Sequence, residues 1–283
     1  IGLPSADFAN HTLCRDYLRI ACAAWHLSAE SGTIDLGSAK TALEIQITEH
    51  QVASGVGGFV DCGEGQSAEV KLIPEVAAGV VGYARSHLRD EGLHILMDIG
   101  ASTLDVCSFI LHQKEGDDCY ELLTADVREL GAMVLHRNRV EVLRQSLSEE
   151  TLHKSAHWNP VEPIPDQIEE HLSPEPEPEL LSRLRDGDIN YRKKCAHVFW
   201  QTLIDLKTKR DPRSQRWNEE MPVFVSGGAR DMDLYRKLME TISGELRTTY
   251  APCLGIERLE LTKPASLEGD INDAVYHRLA VAW

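Results

Sequence analysis

The chain has 283 residues, of which 42% are hydrophobic and 26% charged, as is typical of a globular protein with one large domain or two lobes. Its formal net charge of -16 repels phosphate backbones and argues against general nucleic-acid binding, although a nucleotide could still be held locally by amides and a metal ion. No apolar run approaches the roughly 20 residues of a membrane span, and the first residues lack the basic start and apolar core of a signal peptide.

The chain has seven cysteines, an odd number, and several of them, such as Cys22 and Cys107, lie inside apolar runs. This pattern predicts buried reduced thiols and favours a reducing cytoplasm. No CxxC pair occurs. A zinc site is a much weaker alternative than solvated or core side chains, because the available ligands do not form a recognised spacing. Those ligands are His153, His157, Cys195 and His197.

Helices and strands alternate in the first half of the chain. Apolar spacing and turn residues set their limits. The predicted elements are a helix over 5–32, a strand over 41–52, a turn-rich stretch over 53–67, a strand over 68–73, a helix over 74–92, a hairpin over 94–111, a strand over 120–127 and a helix over 129–147.

The second half begins with a stretch that is rich in Pro and Glu, which indicates an exposed insertion at about 156–188. The elements predicted after it are a long helix over 189–211, a strand with a glycine turn over 221–229, a helix over 230–246, a strand over 256–263 and a last helix over 270–283. Strands that alternate with helices indicate an α/β fold, and the hairpin makes the sheet a mixed one.

The hairpin HILMDIGASTLDVCSFIL carries Asp98, Gly100 and Asp105 in a D-x-G-x-x-x-x-D pattern. Small residues at its turn let backbone N–H groups face a ligand at close range, as anion-binding loops do. A carboxylate at the strand end can orient water around a magnesium ion. The alternative is ordinary turn chemistry, since Asp, Gly and Ser are common at hairpin tips.

Two other segments accompany the hairpin. Glu75 opens a helix in LIPEVAAGVVGYAR, where the helix dipole stabilises a carboxylate, and an ordinary first-turn acid is its alternative. Gly227 and Gly228 follow an apolar strand in VFVSGGARDM, where the bare backbone could lie against a ring or ribose. The alternative there is a simple tight turn between a strand and a helix.

In this order, the three segments resemble the actin-like ATPase superfamily, and most closely the ATPase domain of DnaK-like heat-shock chaperones, the heat shock protein 70 family. The resemblance covers roughly residues 70–283. It implies an α/β fold with actin-like (ribonuclease H-like) lobes, a mixed sheet flanked by helices and an incomplete first lobe. Residues 1–90 would be the remnant of that lobe with a connecting helix, and residues 91–283 the second lobe.

The resemblance also implies Mg²⁺ with ATP or ADP in an interlobe cleft, hydrolysis coupled to conformational change, and a protein partner or client. Asp98 would lie beside the metal, with Glu75 and Asp105 helping to order water. The nucleotide contacts it implies are Gly100, Ala101, Ser102 and Thr103 at the phosphates, Gly227, Gly228, Ala229 and Arg230 at adenosine, and Arg192, Lys193 and Lys194 at adenine.

The sequence departs from the family in several places. We find no first phosphate hairpin, Ala101 replaces a glycine, and the helix opens Pro74–Glu75 in reversed order. No peptide-binding domain follows, which does not support client binding by the chaperone mechanism. Two alternatives therefore stay open: a degenerate, nucleotide-independent scaffold that binds a protein partner, and a sugar or acyl kinase of the same superfamily.

Overall fold

The computed structural model describes residues 2–3, 10–29, 33–49, 51, 56–61, 67–146, 166, 178–249 and 256–259. The chain divides into two compact units. The first comprises Ile1–Gly82 with Lys263–Trp283, and the second comprises Tyr83–Thr262. The predicted domain limits, 1–90 and 91–283, stay a prediction.

The first unit contains two small sheets and three helices among its described residues. In chain order these are β1 (Gly2–Leu3), α1 (His11–Ala29), α2 (Leu36–Ala42), β2 (Val56–Asp61), β3 (Ser67–Lys71), β4 (Ile73–Pro74) and α3 (Glu75–Ala84), whose last two residues count with the second unit. β1 pairs with β4 in parallel, and β2 pairs with β3 antiparallel.

The strand predicted over 41–52 is wrong. Asp35 caps α2, because its side chain accepts a hydrogen bond of 2.8 Å from the Ser38 amide. This cap satisfies a backbone N–H group at the start of the helix and so favours helix there. The alternating residues Ile45 and Ile47 pack against two apolar clusters that include α1 residues. Their alternation therefore reflects packing against a helix. β2 lies inside the stretch over 53–67 that was predicted to be turn-rich.

The second unit is built on one five-stranded mixed sheet with the strand order β7-β6-β5-β8-β9. β5, β6 and β7 are antiparallel neighbours, whereas β5, β8 and β9 run parallel. The elements are β5 (Gly92–Ile99), β6 (Leu104–Lys114), β7 (Asp117–Arg128), α4 (Ala132–Arg144), α5 (Pro178–Asp205), β8 (Met221–Ser226), α6 (Asp233–Thr249) and β9 (Ile256–Leu259). The predicted α/β class, a mixed sheet flanked by helices, is confirmed.

α5 differs in extent from the helix that was predicted there. α5 begins at Pro178, so the end of the Pro- and Glu-rich stretch is helical, and it continues into a π-helical turn over Leu206–Arg210. Leu180 and Leu184 are buried in this first part of α5 and pack with Leu143 of α4, and this packing favours a helix despite the composition. The helix predicted over 270–283 lies outside the described residues.

β5 is buried on both faces, which explains why its sequence is almost continuously apolar. Ile95, Met97 and Ile99 belong to a core that residues of β6, β8, α4, α5 and α6 complete. His94 points the other way and stacks on the rings of Phe109 and Phe224, with centroids 5.5 and 5.8 Å away. The strand is thus a rigid support for its polar end at Asp98. Across the described ranges, no helix is long and apolar enough to cross a bilayer.

Candidate functional site

The two hairpin carboxylates, Asp98 and Asp105, lie side by side. The register of β5 and β6 pairs them directly across the ladder, and their carboxylate oxygens lie within 4.8 Å of each other. Two negative charges at that separation repel each other unless a cation or a proton lies near them. Paired carboxylate oxygens are ligands that a hard divalent cation such as Mg²⁺ accepts, so the donor set fits the predicted metal.

The turn between the two strands is held by the first residues of α4. Three successive amides at the start of that helix donate hydrogen bonds to three carbonyl groups of the turn, so a helix terminus that would otherwise leave its amides unbonded is satisfied by the hairpin. The donor and acceptor pairs are Gly131 to Ser102 at 3.1 Å, Ala132 to Gly100 at 3.1 Å and Met133 to Ala101 at 2.7 Å.

These hydrogen bonds orient the peptide planes of the turn. In a trans peptide the C=O and N–H groups point in opposite directions. Because the carbonyl groups point toward α4, the N–H groups of Ala101, Ser102 and Thr103 point away from it. Ala101 and Ser102 are exposed, whereas the N–H of Gly100 closes the turn on the Thr103 carbonyl at 2.9 Å. Adjacent amides that point the same way from a turn are a donor set of the kind that binds anions.

The contact between the turn and α4 requires a glycine at position 131. A Cβ atom there would come within 2.6 Å of the Ala101 and Gly100 carbonyl oxygens. Backbone therefore packs directly on backbone, and the close approach allows all three hydrogen bonds to form. The contact of Gly131 with the hairpin was not predicted from the sequence.

The glycine turn after β8 lies beside the same strand end. The parallel register pairs Ser226 with Asp98, and the Ser226 hydroxyl donates a 2.9 Å hydrogen bond to Asp98 Oδ1. Gly227 has φ +90°, and a Cβ there would come within 2.5 Å of Asp98 Oδ1 and closer still to the Ile99 carbonyl oxygen. Ser226 was missed at the sequence level, and its position immediately before the double glycine is the signal that could have found it.

The other residues that were predicted to contact the nucleotide differ in exposure and in their contacts. Gly228 is exposed, whereas the Ala229 amide donates to the Ile99 carbonyl at 3.2 Å and so supports the turn. Arg230 is mostly buried and pairs with Asp231 at 3.3 Å. Glu75, the first residue of α3, belongs to the first unit.

The contact of adenine with the basic residues of α5, Arg192, Lys193 and Lys194, stays a prediction. Lys193 and Lys194 line a cavity of about 810 Å³ between the end of β7 and α5, together with Arg128 and His197. The lysines therefore line a cavity to which the hairpin turn contributes no residue.

The zinc alternative receives no support from its described ligands. Cys195 is completely buried in the core of the second unit, and burial raises the pKa of its thiol to about 12. A cysteine binds zinc as the thiolate. His197 is exposed, and His153 and His157 lie outside the described residues.

Comparisons with known proteins find no match to a protein-family model and none to a curated protein sequence. Three solved structures show partial similarity. One is a PilM–PilN type IV pilus biogenesis complex, at 14% identity and a TM-score of 0.40, with 75% of this chain and 51% of the other chain covered. The second is a ParM filament from Clostridium botulinum, at 13% identity and a TM-score of 0.39, with 77% and 57% covered.

The third is a non-polymerisable pCBH ParM quadruple mutant, at 13% identity and a TM-score of 0.39, with 78% and 59% covered. The chain thus spans between about half and three-fifths of the length of these structures. TM-scores of 0.39 to 0.40 are too low to argue from. None of the three is a DnaK-like chaperone, so that narrower resemblance stays a prediction.

Proposed function

We propose that the second unit binds the phosphate groups of a nucleotide, ATP or ADP with Mg²⁺, at the hairpin turn, and that the chain is a nucleotide-binding domain of the actin-like ATPase superfamily. The observation that carries this proposal is the orientation of the turn. Three hydrogen bonds direct its carbonyl groups to α4, so the amides of Ala101, Ser102 and Thr103 face away from the helix, at the end of the strand that carries Asp98.

Each residue then has a definite task. The three amides bind phosphate oxygens, and the hydroxyls of Ser102 and Thr103 add donors of the same kind. Asp98, held in place by the Ser226 hydroxyl, and its neighbour Asp105 supply carboxylate oxygens toward a cation. Bound Mg²⁺ would supply positive charge that offsets the charge of the phosphate oxygens.

Hydrolysis, the coupling of hydrolysis to a conformational change and the recognition of a protein partner are further parts of the proposal that come from the resemblance. In such ATPases the protein contributes positioning and electrostatics and forms no covalent intermediate. Asp98, Asp105 and Glu75 are the carboxylates we assign to ordering water. Gly227 and Gly228, where the backbone is bare, are the positions we assign to adenosine.

The test is an isothermal titration of Mg-ADP and Mg-ATP into the 283-residue chain, with and without an excess of EDTA. We expect Mg²⁺ to tighten binding to the native protein at least tenfold, about 1.4 kcal/mol. In Asp98→Asn this gain should fall below about threefold, because the neutral amide no longer attracts the cation. The matched control is Asp117→Asn, an exposed residue at the opposite end of the β6–β7 ladder, which should keep the full gain.

Two results would contradict the proposal. If the native chain binds neither nucleotide at millimolar concentration, the nucleotide-binding function is wrong and the scaffold alternative is favoured. If it binds, but Asp98→Asn and Asp117→Asn respond alike to Mg²⁺, the nucleotide does not lie at the hairpin.

A further inference from the structure

Two buried tyrosines from different helices meet at the segment that supports the hairpin turn. Tyr191, in the middle of α5, is 3% exposed, and its hydroxyl donates a 2.9 Å hydrogen bond to the Gly131 carbonyl. Tyr235, in the first turn of α6, is 0% exposed, and its hydroxyl donates a 2.9 Å hydrogen bond to the Leu130 carbonyl. Two consecutive carbonyl groups are thus each held by a hydroxyl from a separate helix.

The Leu130–Gly131 segment also contacts the hairpin turn directly. The Gly131 amide donates to the Ser102 carbonyl at 3.1 Å, and the absence of a side chain at Gly131 brings the two backbones into direct contact. A shift of the Leu130–Gly131 peptide is therefore transmitted to the peptide plane that presents the Thr103 amide. No flexible side chain lies between the tyrosines and the turn to absorb such a shift.

Both phenols stay protonated and can donate a hydrogen bond. Burial, together with the nearby Cys195, raises the pKa of Tyr191, and burial together with the Tyr191 phenol raises the pKa of Tyr235. The raised pKa favours the protonated form of each hydroxyl, which is the form that donates to the carbonyl group it contacts. Hydrogen bonds of this kind between buried groups are costly to lose.

We propose that Tyr191 and Tyr235 are positioning residues for the phosphate-binding turn, and that through them the packing of α5 and α6 regulates the affinity of the turn for nucleotide phosphate. The inference rests on the proposed function for its ligand. It adds a reciprocal coupling: a partner or modification that displaces α5 or α6 would weaken phosphate binding, and bound nucleotide would in turn stabilise the two helices.

The test compares Tyr191→Phe and Tyr235→Phe with the control Tyr83→Phe. Tyr83 is also buried, and its hydroxyl accepts from the Asp90 amide at 2.9 Å, away from the turn. Amide hydrogen exchange is measured first without nucleotide, on a peptide that covers 96–106 and on one that covers β8. We expect the first two variants to raise exchange in 96–106 several-fold, leave β8 unchanged and weaken Mg-ADP binding about 2- to 10-fold each. The control should change neither the exchange in 96–106 nor the affinity.

The exchange measurement separates the inference from the proposed function, because it needs no nucleotide. The inference is wrong if exchange in 96–106 is the same in all three variants, or if it rises equally in β8. In either case the tyrosines have only a structural role, whether or not the chain binds nucleotide. If the native chain binds no nucleotide but exchange rises selectively, the proposed ligand is wrong and the positioning role is supported. If exchange rises and affinity for Mg-ADP is unchanged, the regulatory coupling is refuted.

Discussion

Gly227→Ala is the substitution for which the structure gives the sharpest expectation. The glycine has φ +90°, a conformation that costs an alanine about 1 kcal/mol. Its new Cβ would come within 2.5 Å of Asp98 Oδ1 and closer still to the Ile99 carbonyl oxygen. Backbone cannot rotate out of the way as a side chain can, so the β8 turn must separate from β5. Overpacking of this kind costs about 1 to 3 kcal/mol more, which makes a total of roughly 2 to 4 kcal/mol.

Thermal unfolding measures this loss, because in a unit of this size 1 kcal/mol shifts Tm by about 2 to 4 °C. The expected decrease is therefore roughly 4 to 16 °C. The neighbouring variant Gly228→Ala is the matched control, since its Cβ would meet nothing within 4 Å and its effect should stay within about 0.5 kcal/mol. If the two variants melt within 1 or 2 °C of each other, the close contact between the glycine turn and the hairpin strand is not present in solution.

Two further predictions concern buried polar groups. Arg139, 3% exposed, binds Asp188 through two hydrogen bonds of 2.8 and 3.1 Å between α4 and α5, so Arg139→Met should cost about 2 to 4 kcal/mol in urea unfolding. When Asp188→Leu is added to Arg139→Met, the double variant should recover part of this loss. A coupling energy between the two substitutions below about 0.5 kcal/mol would contradict the prediction. Burial lowers the pKa of His94 below its usual 6.5, so the unfolded chain binds the extra proton and stability falls as pH drops below 6.5. Between pH 7.5 and 5.5 the native protein should therefore lose more stability than His94→Phe in urea unfolding; equal losses would show that the fold does not lower the pKa of His94.

The sequence predicted those parts of the fold that local pattern controls. The strands of the hairpin, β8 and α6 lie where apolar runs and turn residues indicated them, because each has a clear apolar pattern between turn residues. The failures occurred where packing overrides pattern. Ile45 and Ile47 alternate as in a strand, yet they pack beside α1 after a capped helix. α5 begins inside a Pro- and Glu-rich stretch because Leu180 and Leu184 find an apolar partner on α4.

The candidate site divides in the same way. By itself, the sequence determined that two aspartates flank a turn of small residues and that a double glycine follows a buried strand, since residue identity and short spacing contain that information. Only the tertiary structure decided that Ser226 donates to Asp98, that the start of α4 orients the peptide planes of the turn, and that Tyr191 and Tyr235 hold the two residues before α4. These contacts join residues 29 to 128 positions apart, and strand register and helix packing set them, which no local window of sequence specifies.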